Sequence, residues 1–431
     1  ITFHLDGTGG TELSATVAGV ATPAAVPTGG SAAVTISLPG GTSEGPHTIH
    51  AVGLGGDSAS YPITVDSTAP PVPSITSAPL SPTSLTDATL QFNDTEPGVT
   101  FYCQFDSGGF TPCTSPVSYS SLSEGPHSFQ VRAHDAAGNQ SFLATANWTV
   151  DTTLPTAAIS FPLTGGIHNG ASYNAGCGTA STGDICGSAS DTGTGVTSVQ
   201  VSIRQGSGNY HDGTGFSSPS ETWLPTTGTT PWTHAFAATA FSTDGSYTVR
   251  ARSSDAAGNI SMIATESFTI DLTGPAASDI QINNGGATPG APELGDTVVF
   301  TFSEPMTPAS ILSGWNGGST TVIVRLDNSG ASDTMAVYDS TNSTPLNLGT
   351  VGLLGNYVTG NLTFGLAGTA STMTVTGSTL TITLGTASGT ARTVSAAATA
   401  QWTPSATATD VAGNAMSTSV GTEQGTADPN F

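Results

Sequence analysis

Acidic side chains recur at corresponding positions of this sequence. Asp66, Asp151 and Asp271 each lie in a repeated stretch of the form Val/Ile-Asp-x-Thr-x-Pro, and Asp135 and Asp255 each open an Asp-Ala-Ala-Gly-Asn stretch. Hard cations such as calcium take several oxygen ligands, so one prediction is that linker and hairpin acids meet in calcium sites that stiffen the joints. The alternative is that each Asp caps its own turn as an Asx turn. Calcium is the one cofactor that the pattern suggests, and both alternatives stay open.

The four cysteines form two local pairs. Cys103 and Cys113 flank the turn residues Asp106-Ser-Gly-Gly and lie on a predicted strand and its return, so we predict a cross-hairpin disulfide. Cys177 and Cys186 bracket a loop without a core of its own, which a disulfide would hold by limiting the freedom of the unfolded chain. A structural zinc site is disfavoured, because it needs CxxC-like spacing and four converging ligands. Two disulfides indicate an oxidising compartment.

Aromatic residues gather in a glycine-rich insertion that runs from Arg204 to Trp232. Tyr210, Trp223 and Trp232 are candidates for a sugar-binding shelf. The alternative is a small satellite core beneath the insertion, which is the favoured interpretation.

Motifs of enzyme chemistry are missing from the sequence. There is no Gly-x-Ser-x-Gly elbow, no His-Glu-x-x-His helix and no phosphate-binding glycine loop. His47 and His50 are three positions apart on a predicted strand and therefore face opposite sides, which rules out shared metal binding. Glu304 is interpreted as part of a turn at a strand end rather than as a catalytic acid. We predict a protein that is not an enzyme.

The charge balance excludes several classes of partner. The chain of 431 residues has 6 Lys plus Arg against 30 Asp plus Glu, for a net charge of −24, and all of its bases are arginines. Affinity for phosphate backbones and anionic membranes comes from Lys and Arg, so we expect no nucleic-acid partner. No apolar run is long enough to span a membrane, so we expect no direct membrane insertion. With no leader at its start, the sequence is expected to be a mature or excised segment.

Repeats divide the chain into four predicted modules. The linker stretches end at Pro70, Pro155 and Pro275, and a turn such as Ser43-Glu-Gly-Pro-His or Ser123-Glu-Gly-Pro-His precedes a strand upstream of each linker. The resulting ranges are 1–69, 70–154, 155–274 and 275–431, called modules one to four below. Short alternating strands separated by Gly, Pro, Asn and Ser predict an all-β chain of four tandem Ig-like antiparallel β-sandwich modules in an elongated arrangement.

Individual strands are predicted in modules two and four. Those of module two are Thr89–Asn93, Thr100–Phe105, His127–His134 and Ala146–Asp151. Those of module four are Thr297–Ser303, Thr320–Leu326, Thr334–Tyr338, Asn361–Leu366 and Thr372–Leu384. Module four is expected to be the larger sandwich, and the Asp-Ala-Ala-Gly-Asn stretches are expected to be tight hairpins.

The stretch from Phe101 to Pro116, followed by Gly-Pro-His-Ser-Phe-Gln-Val-Arg and Asp-Ala-Ala-Gly-Asn, resembles the tandem immunoglobulin-like modules of large bacterial surface proteins. Module three looks like a related form through Ile185-Cys-Gly-Ser-Ala-Ser-Asp191. In module four, the stretch from Leu294 to Met306 is similar to Ig-like modules of surface-layer and adhesin proteins. The resemblance covers nearly the whole chain and implies spacers, stalks and binding platforms rather than one defined activity.

Module one departs from this pattern. Its first residues, with Ile1, Phe3 and Leu5, resemble a middle strand of such a module, so one or two strands are expected to be missing before it. A sandwich without a strand exposes a groove and unpaired edges. One hypothesis is assembly by strand donation from a neighbouring subunit, with the C-terminal Phe431 as an anchor. The other is that the chain was cut from a longer protein.

Together these features favour a non-enzymatic extracellular or cell-surface protein, acting as a subunit of a bacterial surface filament or as an adhesin stalk. Its expected partners are neighbouring subunits, and glycans or a host or cell surface. The rival interpretation is a carbohydrate-binding accessory region of a larger secreted enzyme.

Overall fold

The structure, a computed structural model, describes residues 2–5, 12–17, 20–25, 32–35, 42–52, 58–178, 183–425 and 431. The chain divides into two compact units, one made of residues 1–153 with 256–259 and the other of 154–255 with 260–431. The predicted all-β class is confirmed, because the described residues form mainly antiparallel sheets with a few short helical turns. None of these helices has the length and apolar character needed to cross a membrane. The four module ranges remain a prediction and serve here as names.

Module one contains two sheets. Its strands are β1 Thr2–Leu5, β2 Glu12–Val17, β3 Val20–Ala25, β4 Ala32–Thr35, β5 Gly45–Val52 and β6 Ser58–Val65. Strand β1 pairs with β4, and the second sheet has the order β3-β2-β5-β6. Phe3 lies opposite Val34 and Leu5 opposite Ala32 in the β1–β4 register. Ile1 lies outside the described residues, and within those residues no strand pairs with the second edge of β1.

Module two is a β-sandwich. Its strands are β7 Ser74–Ser77, β8 Ala88–Asn93, β9 Thr100–Phe105, β10 Thr111–Cys113, β11 Val117–Tyr119, β12 Gly125–His134 and β13 Ala144–Val150. One sheet has the order β10-β9-β12-β13 and the other β11-β8-β7. Alternation along β8 and β12 buries Leu90, Phe92, Phe129 and Val131 between the sheets, together with Trp148 of β13. The four strands predicted here are therefore present, with ends shifted by up to two residues.

The first predicted disulfide is present in module two. Cys103 of β9 and Cys113 of β10 are bonded, with their Cα atoms 5.8 Å apart, across the predicted hairpin. The second, Cys177–Cys186, is present in module three.

Module three is a second sandwich with a wider sheet. Its elements are β14 Thr156–Phe161, β15 Ile167–His168, α1 Gly170–Asn174, β16 Asp184–Ser190, β17 Val196–Gln205, β18 Tyr210–His211, β19 Phe216–Ser218, β20 Leu224–Pro225, β21 Trp232–Ala235, a 3-10 turn Ala238–Ala240, β22 Gly245–Asp255 and β23 Ala264–Ile270. Sheet β14-β16-β21 packs against sheet β15-β23-β22-β17-β18-β19. Strand β20 also pairs with β17. Ten of the 29 residues from Arg204 to Trp232 lie in strands, and β18, β19 and β20 widen the sheet around β17.

Module four consists of one large sheet that closes on itself. Its elements are β24 Ala277–Asn283, β25 Thr297–Phe302, α2 Pro308–Ile311, β26 Thr320–Asp327, β27 Thr334–Tyr338, β28 Pro345–Gly352, β29 Leu362–Phe364, β30 Ser371–Thr376, β31 Thr379–Thr383, β32 Gln401–Thr403 and β33 Gly421–Thr422. The order is β24-β25-β31-β30-β26-β27-β28-β32-β33, with β29 on β26. Gln281 of β24 donates to the Gln424 carbonyl at 2.8 Å, so the first strand meets the chain beside the last.

The curled sheet of module four encloses the largest core of the described residues. Trp402 is fully buried against Phe300 and Phe302, and its indole nitrogen donates to the Leu348 carbonyl at 2.6 Å. The single predicted strand Thr372–Leu384 is wrong: it is the hairpin β30–β31, because Gly377 takes a positive φ of 60° that turns the chain back.

Candidate functional site: the linker joints

The linker acids form Asx turns at all three joints. Oδ1 of Asp66, Asp151 and Asp271 accepts the backbone N–H of the threonine two positions later, at 3.0, 3.1 and 3.2 Å. Each Asp follows the last strand of its module, so the turn redirects the chain where the sheet ends. The Asx alternative predicted for these residues is therefore correct.

A second acid, from the turn before the penultimate strand, holds each linker from the side of its own module. Glu44 accepts the N–H of Ser67 at 3.1 Å, and Glu124 accepts that of Thr152 at 2.9 Å. Asp244 accepts the N–H of Leu272 at 2.7 Å. These are the acids of the Ser-Glu-Gly-Pro-His turns and of their looser copy in module three.

An asparagine of the downstream hairpin holds each linker from the other side. Nδ2 of Asn139 donates to the Asp66 carbonyl at 3.0 Å, and Nδ2 of Asn259 to the Asp151 carbonyl at 2.8 Å. Nδ2 of Asn414 donates to the Asp271 carbonyl at 2.9 Å. The spacing of the Asp-x-Ala-Gly-Asn motif therefore has a physical cause, since its last residue must reach the previous linker.

The first residue of that motif orients its last. Oδ1 of Asp410 accepts the N–H groups of Gly413 and Asn414 at 2.6 and 2.8 Å, and its Oδ2 accepts Nδ2 of Asn414 at 2.9 Å. Asp135 makes the matching bonds to Asn139. Gly413 has φ of 91°, which favours glycine. The predicted tight hairpin is confirmed, because antiparallel bridges flank the motif at His134–Gln140, Ser254–Ile260 and Thr409–Ala415.

Three carboxylates converge at the joint between modules three and four. Oxygens of Asp271, Glu304 and Asp410 lie within 4.8 Å of one another. Asp410 is 1% exposed and the other two are partly buried. Burial, followed by the charges of Asp271 and Asp410, raises the pKa of Glu304 to about 7. Burial also raises the pKa of Asp271. The cluster therefore retains a proton or attracts a cation near neutral pH.

The cluster borders a cleft. The cleft has a volume of about 440 Å³ and is lined by Asp244, Gly245, Thr269, Ile270, Asp271, Thr273, Ser303 and Glu304. Its walls offer carboxylate and hydroxyl oxygens from both modules of the joint, and hard cations bind such oxygens.

Acids also gather at the joint between modules one and two. Desolvation raises the pKa of Glu96, and the charges of Asp135, Asp66 and Asp94 raise it further. Asp66 and Asp135, predicted from sequence, thus lie near one another. Asp151 and Asp255 are nearly fully buried, at 3 and 4% exposed, and belong to different compact units.

Sequence reasoning missed Glu96 at the first of these two clusters and both Glu304 and Asp410 at the second. Glu96 and Glu304 were outside the predicted calcium set, and Glu304 was interpreted only as a turn residue. Each comes shortly after a core strand, β8 or β25, and each is followed by proline. The shared Glu-Pro at the end of a strand is the signal that identifies them. Asp410 opens the third copy of the hairpin motif, Asp-Val-Ala-Gly-Asn, and was also outside the predicted calcium set.

The aromatic candidates separate into two environments. Trp232 is fully buried in the core of module three, so its assignment to a sugar-binding surface is wrong: its ring packs between the sheets. Tyr210 and Trp223 are partly exposed, and each lies under an arginine, with Arg204 5.1 Å from the Tyr210 ring centre and Arg252 4.2 Å from that of Trp223.

Phe431 also has a different role from the predicted one. It is 3% exposed and packs edge-on against Tyr357, with ring centres 5.4 Å apart. Its place in the core of module four fills a site in its own chain, so its prediction as an anchor in a neighbouring subunit is wrong.

The histidines serve turns and strands. Nε2 of His127 lies 2.8 Å from the Ser123 carbonyl and Nδ1 lies 2.9 Å from Asp106 Oδ2, which joins two turns of module two. His47 repeats the first contact with Ser43 at 2.8 Å, and His50 contacts Ser60 Oγ at 2.9 Å. Both nitrogens of His127 are therefore engaged in turn structure.

No family model and no curated protein matches this chain. Solved structures do match it. A tetra-tandem repeat from the extending region of a large adhesion protein has 19% identity over 89% of this chain and 93% of that chain, with a TM-score of 0.27. A 1.5-MDa bacterial ice-binding adhesin has 14% identity over 74% of this chain and 98% of that chain, with a TM-score of 0.31. A Ca²⁺-stabilized adhesin of an Antarctic bacterium that binds ice has 15% identity over 89 and 90%, with a TM-score of 0.30. TM-scores this low do not allow a ligand, partner or activity of these proteins to be assigned to this chain. The proposed function therefore rests on the contacts at the linkers between modules.

Proposed function

We propose that this chain is a non-enzymatic stalk segment of an extracellular or cell-surface protein, in which tandem Ig-like modules are held in fixed succession. The observation that supports it is the double clamp found at all three linkers. At each, an acid of the upstream turn binds linker N–H groups, and an asparagine of the downstream hairpin binds the linker carbonyl. Flexible tethers of independent domains need no such contacts.

Calorimetry on the full chain tests this proposal. A joint that couples modules three and four makes them unfold in one transition, because each stabilises the other through the clamp. Replacing both clamp residues, Asp244→Ala with Asn414→Ala, is expected to split that transition in two. Two separate transitions already present in the wild-type chain would count against a coupled joint.

Calcium is proposed to reinforce the joint between modules three and four. Two oxygens on opposite sides of a calcium ion lie about 4.6–5.2 Å apart, given ligand distances of about 2.3–2.6 Å. The oxygens of Asp271, Glu304 and Asp410 lie within 4.8 Å, so they fit around one ion. A cation there would neutralise charges that otherwise repel across the joint. Among the described residues, the two ion pairs lie elsewhere, at His127–Asp106 and Arg250–Glu221.

Self-association by strand donation is a further part of the proposal. In module two, β8 pairs with β11 on one side and β7 on the other, whereas β1 pairs with β4 alone among the described residues of module one. An unpaired edge accepts an added strand through main-chain hydrogen bonds. Cryo-electron microscopy of native material tests this. Density for a neighbour's strand beside β1 supports assembly, and density continuous with the same chain contradicts it.

A further inference from the structure

One outward face of module three combines aromatic and cationic side chains. Pairing of Leu224 with Val201 places Trp223 level with Ser202, Ser202 lies opposite Arg250, and Arg250 lies opposite Thr265. Together with Arg252 and Arg204, these residues form what we call the Trp223 face: Trp223, Ser202, Arg204, Arg250, Arg252 and Thr265. Trp223 directly precedes β20, and the other five occupy outward positions of β17, β22 and β23, whose alternate residues are buried in the core.

Cations are concentrated on this face. The chain has six basic residues in all, and Arg204, Arg250 and Arg252 are three of them. Arg252 lies 4.2 Å and Arg250 5.9 Å from the centre of the Trp223 ring. Glu221, which binds Arg250 at 2.6 Å, is the acid paired with these arginines in the described structure. In a chain of net charge −24, this is a local site of opposite sign.

The arginines keep donors for a ligand. Arg252 directs Nε and Nη2 to Gln200 Oε1, at 3.0 and 2.8 Å, which leaves its Nη1. Arg250 uses Nη1 for Glu221, which leaves Nε and Nη2. Guanidinium groups bind carboxylates and sulfates through such paired N–H groups. Aromatic side chains such as Trp223 present an apolar face with a polar edge to a ligand.

The floor of the face has an unpaired hydroxyl. Ser202 points outward yet is 1% exposed, because the side chains above cover it, and its Oγ has no hydrogen-bond partner. A buried polar atom without a partner is destabilising, and a water molecule or ligand group that reaches Ser202 Oγ would supply the missing hydrogen bond.

We propose that the Trp223 face binds an anionic oligosaccharide. A carboxylate or sulfate would contact Arg250 and Arg252, and a sugar ring would lie against Trp223. A short oligosaccharide is favoured over a long polyanion such as nucleic acid, because only this face attracts an anion and the rest of the acidic chain repels it. The proposal is independent of the stalk function, since it concerns a surface and not a joint.

Thr265 allows a test that leaves the packing intact. It is exposed and directly opposite Arg250, so Thr265→Arg adds a cation and Thr265→Glu adds an anion at the edge of the face. Calorimetric titration of the full chain uses oligogalacturonate for the carboxylate source, heparin oligosaccharide for the sulfate source and cellohexaose as the neutral control. Relative to Thr265→Gln, we expect affinity to rise about three- to tenfold with Arg and to fall by a similar factor with Glu.

Two further variants locate the site. Trp223→Ala is expected to abolish binding, with circular dichroism to verify folding. Arg325→Gln is the matched control, because Arg325 also stacks on an aromatic ring, 3.7 Å from the Tyr338 centre, but lies in module four. The preference between oligogalacturonate and heparin identifies the source of the anion. Absence of binding to both at millimolar concentration, equal affinity across the Thr265 variants, or equal binding of cellohexaose would each overturn the proposal.

Discussion

The Nδ2 atom of Asn414 lies 2.9 Å from the carbonyl oxygen of Asp271, a residue 143 positions earlier. This bond joins the last loop of module four to the linker that precedes the module. Corresponding bonds from Asn139 and Asn259 reach the linkers at Asp66 and Asp151. In the proposed stalk, this contact is the means by which a short sequence motif holds each linker.

Removing this clamp should loosen the linker without unfolding the module. Asn414→Ala deletes the carboxamide bonds to Asp271 and Asp410, which together contribute about 1–3 kcal/mol. We expect faster hydrogen exchange at the amides of Leu272 and Thr273. Asn328→Ala is the control, because Asn328 caps a turn at Gly330 within module four. Equal exchange rates in the two variants would show that the carboxamide does not hold the linker.

The pKa of Glu304 predicts a pH dependence of stability. Because its folded pKa is about 7 and its usual value is 4.5, the folded state binds more protons between these values. Stability contributed by this group is present at low pH and is lost as pH rises from about 4.5 through 7. Without divalent cations, the melting temperature of the wild-type chain should therefore fall over this window relative to Glu304→Gln. If the melting temperatures of the two proteins changed equally with pH, the raised pKa of Glu304 would be contradicted.

Calcium should reverse that loss. At pH 8, above the pKa of about 7 of Glu304, that carboxylate is ionised, and calcium at 100 times its dissociation constant stabilises the folded state by about 2.7 kcal/mol. We expect calcium to raise the melting temperature of the wild-type chain and to have a smaller effect on Asp410→Asn. Asp339→Asn, in an exposed turn of the same module, is the matched control. A calcium response unchanged by Asp410→Asn would place the ion elsewhere.

Phe431 should stabilise its own module. Truncating a large buried aromatic side chain costs about 3–5 kcal/mol, so Phe431→Ala should lower the unfolding temperature of module four. Since the ring packs on Tyr357 of the same chain, sedimentation velocity should detect no change in association. If Phe431→Ala instead dissociated assemblies of the chain without lowering the unfolding temperature, Phe431 would act as an anchor in a neighbouring subunit.

Features set by local sequence were predictable. The Cys103–Cys113 hairpin, the strands of module two and the linker turns depend on residues close together in the chain. The repeats also predicted that linker and hairpin acids lie near one another, as Asp66 and Asp135 do beside Glu96. Local patterns determined these elements because turn chemistry and strand alternation act over a few residues.

Features set by the tertiary fold were not predictable. Glu304 and Asp410 come together only when β25 and the last loop of module four reach the same end of the sheet. Trp232 and Trp223 lie nine positions apart in one glycine-rich insertion, and composition does not distinguish them. Trp232 lies in β21 and its side chain is buried in the core, whereas Trp223 directly precedes β20 and its side chain lies outside the core. Side-chain direction in short strands depends on register, which the sequence alone did not fix.

The central claim is that clamped linkers hold successive modules rigidly. Double electron–electron resonance tests it most directly. The technique measures the distance between spin labels attached at the exposed Ser198 and Thr376, which lie in modules three and four. The account predicts a single narrow distance distribution in the wild-type chain, which broadens when Asp244→Ala and Asn414→Ala are combined. A broad distribution in the wild-type chain at pH 7 with calcium would contradict it.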